Sequence, residues 1–233
     1  MSKSKFIYGT ILYLIFPFTA IHAQPAAQND INANFKSEEL DVELWSQRFE
    51  VEGREVYDLR NEIIAAIGIN PGQTVADVGA GTGLFIPLLA EVTGDDGKVY
   101  AVDISSKFID HINRKAKEFS LGQVETILSS ERTTMLPENS VDIIFTSDAY
   151  HHFIYYQDML ASMHKALKPG GQLIVVDFDI SSEEISPRLI EHVGATNTKE
   201  ILTQQILDNN FNLMEDFTLD SMKQSFMRRF KKN

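Results

Sequence analysis

The chain has 233 residues, 43% of them apolar, and a formal charge of −12. That size and apolar share suit one globular domain with a full core, or a small domain plus an appendage, rather than a disordered chain. Basic residues run together only in the closing MRRFKKN, so the footprint of a nucleic-acid partner is missing, and the lack of cysteine removes disulfides, thiolate metal sites and thiol nucleophiles.

Lys3 and Lys5 precede an apolar stretch from Phe6 to Ile21, and Ile21-His22-Ala23 stands just ahead of Gln24. This is the order of a secretory signal peptide, residues 1–23, cut after Ala23. It predicts an exported protein, in a bacterial periplasm or outside the cell, with no stable membrane insertion after cleavage. An uncleaved anchor helix is the alternative, because the apolar stretch approaches the lower limit for crossing a bilayer. Residues 24–39 have the polar, small-residue character of a linker. Residues 40–233 read as a single domain that begins with helices.

From residue 40 onward the apolar pattern alternates between helical and strand periods. Residues 40–67 carry helical spacing interrupted near Gly53, which predicts two helices. QTVADV (73–78) is a short buried strand and GLFIPLLAEV (83–92) a helix. KVYAVDI (98–104) is a second strand, followed by a helix over 105–119 with a serine near its N-cap and basic residues later. QVETIL (123–128), VDIIFTS (141–147) and GQLIVVDFD (171–179) are further strands, with a helix over 156–167 closed by the turn KPGG. After a helix near 198–209, FNLMEDFTL and SMKQSFMRRF are two last strands able to pair antiparallel. The alternation predicts an α/β fold: a doubly wound, seven-stranded, mostly parallel sheet with helices on both faces and an antiparallel final strand.

Such sheets bind ligands beyond the carboxyl ends of their strands, where strand order reverses. VADVGAGTGLF (75–85) is the first strand-to-helix turn. Glycine at 79, 81 and 83 lets the backbone amides approach a ligand, and the following helix N-terminus favours an anionic group. Asp103 ends the second strand, where a carboxylate can accept hydrogen bonds from both hydroxyls of a ribose. Together they indicate an adenosine-containing cofactor. The dinucleotide fingerprint G-x-G-x-x-G is not met, since position 84 is Leu.

With VADVGAGTGLF, KVYAVDIS, LPENSVDIIFTSDAYHHF and ALKPGGQLIVVDFD in this order, residues 53–230 resemble the class I S-adenosylmethionine-dependent methyltransferases, and more narrowly uncharacterised, exported-type members. The resemblance implies S-adenosyl-L-methionine as cofactor and a doubly wound fold. It implies that Gly79 and Gly81 contact the methionine part through the backbone and that Asp77 positions its amino group. Asp103 would hold the ribose, Ile104 would lie against the adenine, and Glu131 would receive the adenine amino group, although SSERTTMLP departs from the commoner Gly-Asp-Ala pattern there. Asp148 would lie beside the methionine end or the transferable methyl. The implied activity is methyl transfer to a small molecule or a protein side chain. A non-catalytic binding module of the same fold is the alternative, and a nicotinamide-dependent oxidoreductase a more distant one. Oligomeric state is not legible.

His151 and His152 follow the fourth strand at the binding edge and are the candidate base or substrate contacts, because imidazole titrates near neutrality. Adjacent histidines lack helical i, i+4 ligand spacing, so no metal site is expected from them. His192, Arg54 and Tyr57 could face the pocket, but a solvated surface accounts for them equally well. Tyr150 stacks on substrate or simply packs, and Asp177 and Asp179 face the same edge as the glycine turn, where one could touch substrate, although a solvated strand end is the favoured reading.

Overall fold

Why the two periods alternate is clear from the computed structural model, which describes residues 30–233. The strands are β1 Thr74–Val78, β2 Lys98–Asp103, β3 Val124–Leu128, β4 Val141–Ser147, β5 Leu167–Phe178, β6 Phe211–Asp216 and β7 Ser225–Lys232. The helices are α1 Val42–Phe49, α2 Glu55–Asp58, α3 Arg60–Ile67, α4 Ile86–Thr93, α5 Ser106–Glu118, α6 Tyr156–Ala166, α7 Pro187–Val193 and α8 Lys199–Leu207. Residues Ile31–Asn233 form one compact unit. The signal-peptide expectation, residues 1–23, lies outside the described residues. Among those described, no helix is long and apolar enough to cross a membrane.

The strands form one sheet in the order β3-β2-β1-β4-β5-β7-β6. β7 runs antiparallel to both its neighbours, and the other pairs are parallel, so the expected doubly wound sheet with an antiparallel final strand is present. Successive strand side chains point to opposite faces. Val75, Val99, Phe145 and Ile174 accordingly join Ile63, Ile67 and Leu89 in one core layer, while Ala76, Tyr100, Ile144 and Val175 join Leu160, Met163 and Ile206 in the other. Each fully buried large side chain contributes about 1.5–3 kcal/mol, so every central strand is fixed from both sides. The winding leaves β1 and β4 side by side at the point where strand order reverses, and the loops after them open on one crevice.

Four departures from the sequence reading have local causes. Residues 40–67 hold three helices rather than two, because α2 stops at Leu59, which is at once its C-cap and the N-cap of α3. Lys168-Pro169-Gly170-Gly171 does not close α6 as a separate turn: β5 already begins at Leu167, paired with Val141, and the register shifts before Ile143 meets Gln172, so the glycines lie in a bulge. Helix α4 begins at Ile86 rather than at residue 83, with Pro87 in its first turn. The short helix α7 was not foreseen, though its signals stand in the sequence: the Ser186 side chain accepts from Leu189 N–H, and Pro187 follows at the first helical position.

Candidate cofactor-binding site

The glycine turn joins the end of β1 to α4, and each of its glycines has a positive φ. At Gly79, with φ +86°, an added Cβ would fall well inside 3.0 Å of Ala149 Cβ. At Gly83 it would reach 3.0 Å from Ile112 Cγ1 on α5. Protein, not ligand, therefore demands those two glycines. Gly81 is different, because its missing side chain faces only the Phe49 ring at 3.6 Å, on the wall of the cleft.

The N–H groups of all three glycines are engaged within the protein, so any close approach of a ligand to Gly79 and Gly81 is to the bare backbone of the turn on the cleft wall. Gly79 donates to the Val102 carbonyl at 2.8 Å, Gly83 to the Ala80 carbonyl at 2.9 Å, and Gly81 to Asp103 Oδ2 at 2.8 Å. The last bond ties the turn directly to the tip of β2. The second Asp103 oxygen accepts from Ser105 N–H at 2.8 Å, so this carboxylate, and not the Ser105 hydroxyl, holds the start of α5. Each carboxylate oxygen retains a lone pair for a ligand hydroxyl.

Around this junction lies a cleft of about 630 Å³, the open solvent at its mouth included. Gly79, Gly81, Asp103, Ile104, Glu131, Asp148 and His152 line it, so the tertiary structure brings most of the expected residues to one place. A smaller lobe of about 420 Å³ adjoins it and reaches Asp77 and Arg54. Glu131 also meets Lys36, Oε1 to Nζ at 2.7 Å. His151 and Gly83 stand behind the lining rather than in it.

The cleft concentrates buried carboxyl groups. Burial pushes Asp77 up to about 8, with Asp103 nearby adding repulsion. Burial likewise raises Asp103 to about 6 against the pull of its backbone donors. It raises Asp148 to about 6, although the Arg54 guanidinium, 2.8 Å from its Oδ2, opposes the shift. Asp148 stands at φ +47° just after β4, and its Oδ1 is buried and makes no hydrogen bond among the described residues. An unsatisfied acceptor of this kind is costly unless a donor reaches it. Crowded carboxyls with spare acceptor capacity suit a ligand carrying positive charge, an ammonium donor and vicinal hydroxyls. S-adenosylmethionine carries all three.

Some wall residues could not be read from sequence. Asn32 and Phe35, in the stretch expected to be a linker, line the cleft, and Phe49 of α1 joins them. Asn32 is buried and donates to the His152 carbonyl at 3.0 Å. Phe35 packs on Trp45, Phe108 and His152. Nothing in the local pattern of NDINANF announces this role. Arg54, weighed as solvated, instead binds Asp148 and the Phe49 carbonyl.

The expectation of a solvated end to β5 is corrected. Asp177 and Asp179 are both buried. Asp179 Oδ1 accepts from Ser181 N–H and Oγ–H at 3.0 and 2.6 Å. Asp177 accepts from His151 N–H at 3.1 Å, and its Oδ1 lies 2.9 Å from His151 Nδ1. Burial acts to lower His151, but the Asp177 charge and hydrogen bond outweigh it and leave the imidazole raised. His152 is pushed down to about 2 by burial and by the two other imidazoles, so it is neutral over the physiological range. Tyr150 packs under the loop, with its hydroxyl 3.3 Å from Gln205 Oε1.

Comparison with known proteins agrees with this geometry. Residues 76–175 match the family described as a methyltransferase domain. The ubiquinone/menaquinone biosynthesis C-methyltransferase UbiE of Escherichia fergusonii is 31% identical over 112 residues, which are 48% of this chain and 45% of that protein. The chain thus spans about half the length of the curated relatives it matches. Among solved structures, a SAM dependent methyltransferase from Aquifex aeolicus superposes with a TM-score of 0.71 at 24% identity, covering 82% of this chain and 98% of its own. Geranyl diphosphate C-methyltransferase from Streptomyces coelicolor, in complex with Mg2+, geranyl diphosphate and S-adenosyl-L-homocysteine, superposes with a TM-score of 0.63 at 15% identity over 86% of this chain and 88% of its own. The fold is thus the one shared by S-adenosylmethionine-dependent methyltransferases of known structure, and the matched segment is similar to a methyltransferase domain. The match runs from Ala76 of β1 to Val175 of β5, across the glycine turn, Asp103 and the loop after β4.

Proposed function

We propose that this protein transfers a methyl group from S-adenosylmethionine to a nucleophilic atom of a small molecule or a protein side chain. The observation that carries the reading is the junction of the Gly81 N–H with the Asp103 carboxylate at 2.8 Å on the wall of the acid-rich cleft. When bound, the cofactor supplies a methyl on a positively charged sulfur, which an aligned nucleophile displaces without any covalent enzyme intermediate. The protein's part is to bind, orient and exclude water, and orientation alone is worth about 7–11 kcal/mol of barrier.

In this reading Asp103 holds the ribose hydroxyls, and Ile104 packs on the adenine, with Glu131 at its amino edge. Asp77 and the free oxygen of Asp148 take the ammonium and face the sulfonium, so the bound cation counters the burial that otherwise keeps protons on these acids. His152, on the cleft wall and neutral, serves as a hydrogen-bonding contact for the acceptor. It is a poor proton reservoir, because a general base works best with a pKa near the working pH. His151, aimed by Asp177, lies behind it.

The proposal includes export, supported by the order of charged, apolar and small residues over 1–23. Calorimetry of the purified chain with S-adenosylmethionine tests the reading: wild type binds and Asp103→Ala binds at least tenfold more weakly. No heat of binding with the wild type refutes it. Binding without methyl incorporation into any acceptor, in assays with labelled cofactor, would favour a binding module of the same fold.

A further inference from the structure

The loop after β4 and the last turn of α7 bring three imidazoles together, His151, His152 and His192, with one ligand nitrogen from each lying within 4.8 Å of the others. His151 Nε2 and His192 Nε2 are 3.2 Å apart. Two imidazole nitrogens sharing a tetrahedral zinc ion at the usual Zn–N distance sit about 3.3 Å apart, so this pair already has the separation that a shared cation requires.

Outer contacts fix which nitrogen is available on two of the rings. His151 Nδ1 faces the Asp177 carboxylate at 2.9 Å, and a carboxylate only accepts, so the proton belongs on Nδ1 and the Nε2 lone pair points towards His192. Asn32 donates through Nδ2 to the His152 carbonyl, which places its Oδ1, an acceptor, 3.1 Å from His152 Nδ1. His152 therefore also carries its proton on Nδ1 and is left with Nε2 as a ligand atom. A histidine oriented by a carboxylate or carbonyl at one nitrogen, with the other nitrogen presented inward, is the arrangement that metal sites use. His192 completes the set with its Nε2 turned to His151, and three imidazole ligands leave a fourth position, as catalytic rather than structural zinc sites do. His152 also lines the cofactor cleft, so the site lies at the cleft's edge.

The geometry points to a binding site for a first-row divalent transition cation of the zinc type, held by His151, His152 and His192 and oriented by Asp177 and Asn32. The all-nitrogen donor set disfavours Mg2+ and Ca2+, which take oxygen ligands. His152 is shared with the acceptor contact proposed above, so a bound cation would take that role over at its Nε2; metal binding is nevertheless measured without methyl transfer, and either reading can fail alone.

The test uses the full chain, stripped with EDTA and equilibrated against Zn2+, with bound metal measured by mass spectrometry. About one zinc per chain is expected. His192→Ala should weaken binding at least tenfold, and since His192 is exposed, its far-UV spectrum and melting midpoint should match wild type. Asp177→Asn should weaken binding about 10–100-fold, whereas a His111→Ala/His164→Ala double variant, altering the other described histidines, should bind as wild type does. Co2+ added to the stripped wild type should give the intense visible bands of a tetrahedral nitrogen site, a reading independent of any variant. Absence of stoichiometric zinc, undiminished binding in His192→Ala, or loss of binding in the double variant overturns the inference.

Discussion

Substituting alanine at Gly79 separates the steric from the ligand-binding explanation of the glycine turn. The new methyl would sit at φ +86° and well inside 3.0 Å of Ala149 Cβ. A left-handed backbone costs an L-residue about 1–2 kcal/mol, and an extra methylene forced into a packed site costs about 1–3 kcal/mol. Gly79→Ala should therefore lose about 2–5 kcal/mol, a large part of an ordinary domain's stability. Gly81→Ala has a φ of +55° but only an ordinary contact with Phe49 at 3.6 Å, so it should lose about 1–2 kcal/mol while weakening cofactor binding. Urea unfolding followed by circular dichroism and by Trp45 fluorescence measures both. The double variant Gly79→Ala/Ala149→Gly removes the clash and keeps the backbone strain, so measured against Ala149→Gly alone the Gly79 change should then cost only the backbone part. If Gly79→Ala lies within about 0.5 kcal/mol of wild type, the range expected of a change that touches nothing, then β4's loop does not demand this glycine and the steric account fails.

Stability should fall as pH rises. Asp77 holds its proton up to about 8 in the fold, against an ordinary value of 3.8, and Asp103 and Asp148 up to about 6. Between 3.8 and these values the folded chain binds protons that the unfolded chain has released, so this contribution is complete at low pH and disappears as pH passes about 6 and then about 8. His152, held down to about 2 against an ordinary 6.5, opposes this below about 6.5, so urea midpoints between about 6.5 and 8, where Asp77 alone of these groups titrates, check it, and midpoints that rise there would contradict the assignment. The cationic cofactor should shift the balance the other way, with affinity increasing over the same window and protons released on binding, detectable by calorimetry in buffers of different ionisation heat. Arg54→Met leaves the buried Asp148 without its guanidinium, and because Arg54 is itself partly exposed the loss should be about 1–3 kcal/mol, read by unfolding. Trp45, the chain's one tryptophan, packs on Phe35 and Phe49, both on the cleft wall. Titrating S-adenosylhomocysteine should therefore change its emission, and an unchanged spectrum at saturation would place the ligand elsewhere.

Much of the architecture was legible in the chain because burial on two faces leaves a local trace. Runs such as TVADV and LIVVDF are apolar at consecutive positions, since a central strand meets a helix layer on either side, and the glycine turn and Asp103 fall at strand ends that any doubly wound sheet brings together. What each group does there depended on neighbours remote in sequence. Gly79 is required by Ala149, the Gly81 amide is spent on Asp103 across 22 positions, and Asp177 is buried by His151 and Asn197 instead of being solvated. Asn32 reaches His152 from 120 positions away, and His192 joins the histidine pair from 41. Periodicity records only whether a side chain faces water or core. Which acid meets which cation, and which imidazoles converge, is decided by the order of the strands and the path of the loops, so the sequence alone determined the sheet and its ligand edge, and the tertiary structure decided the chemistry along it.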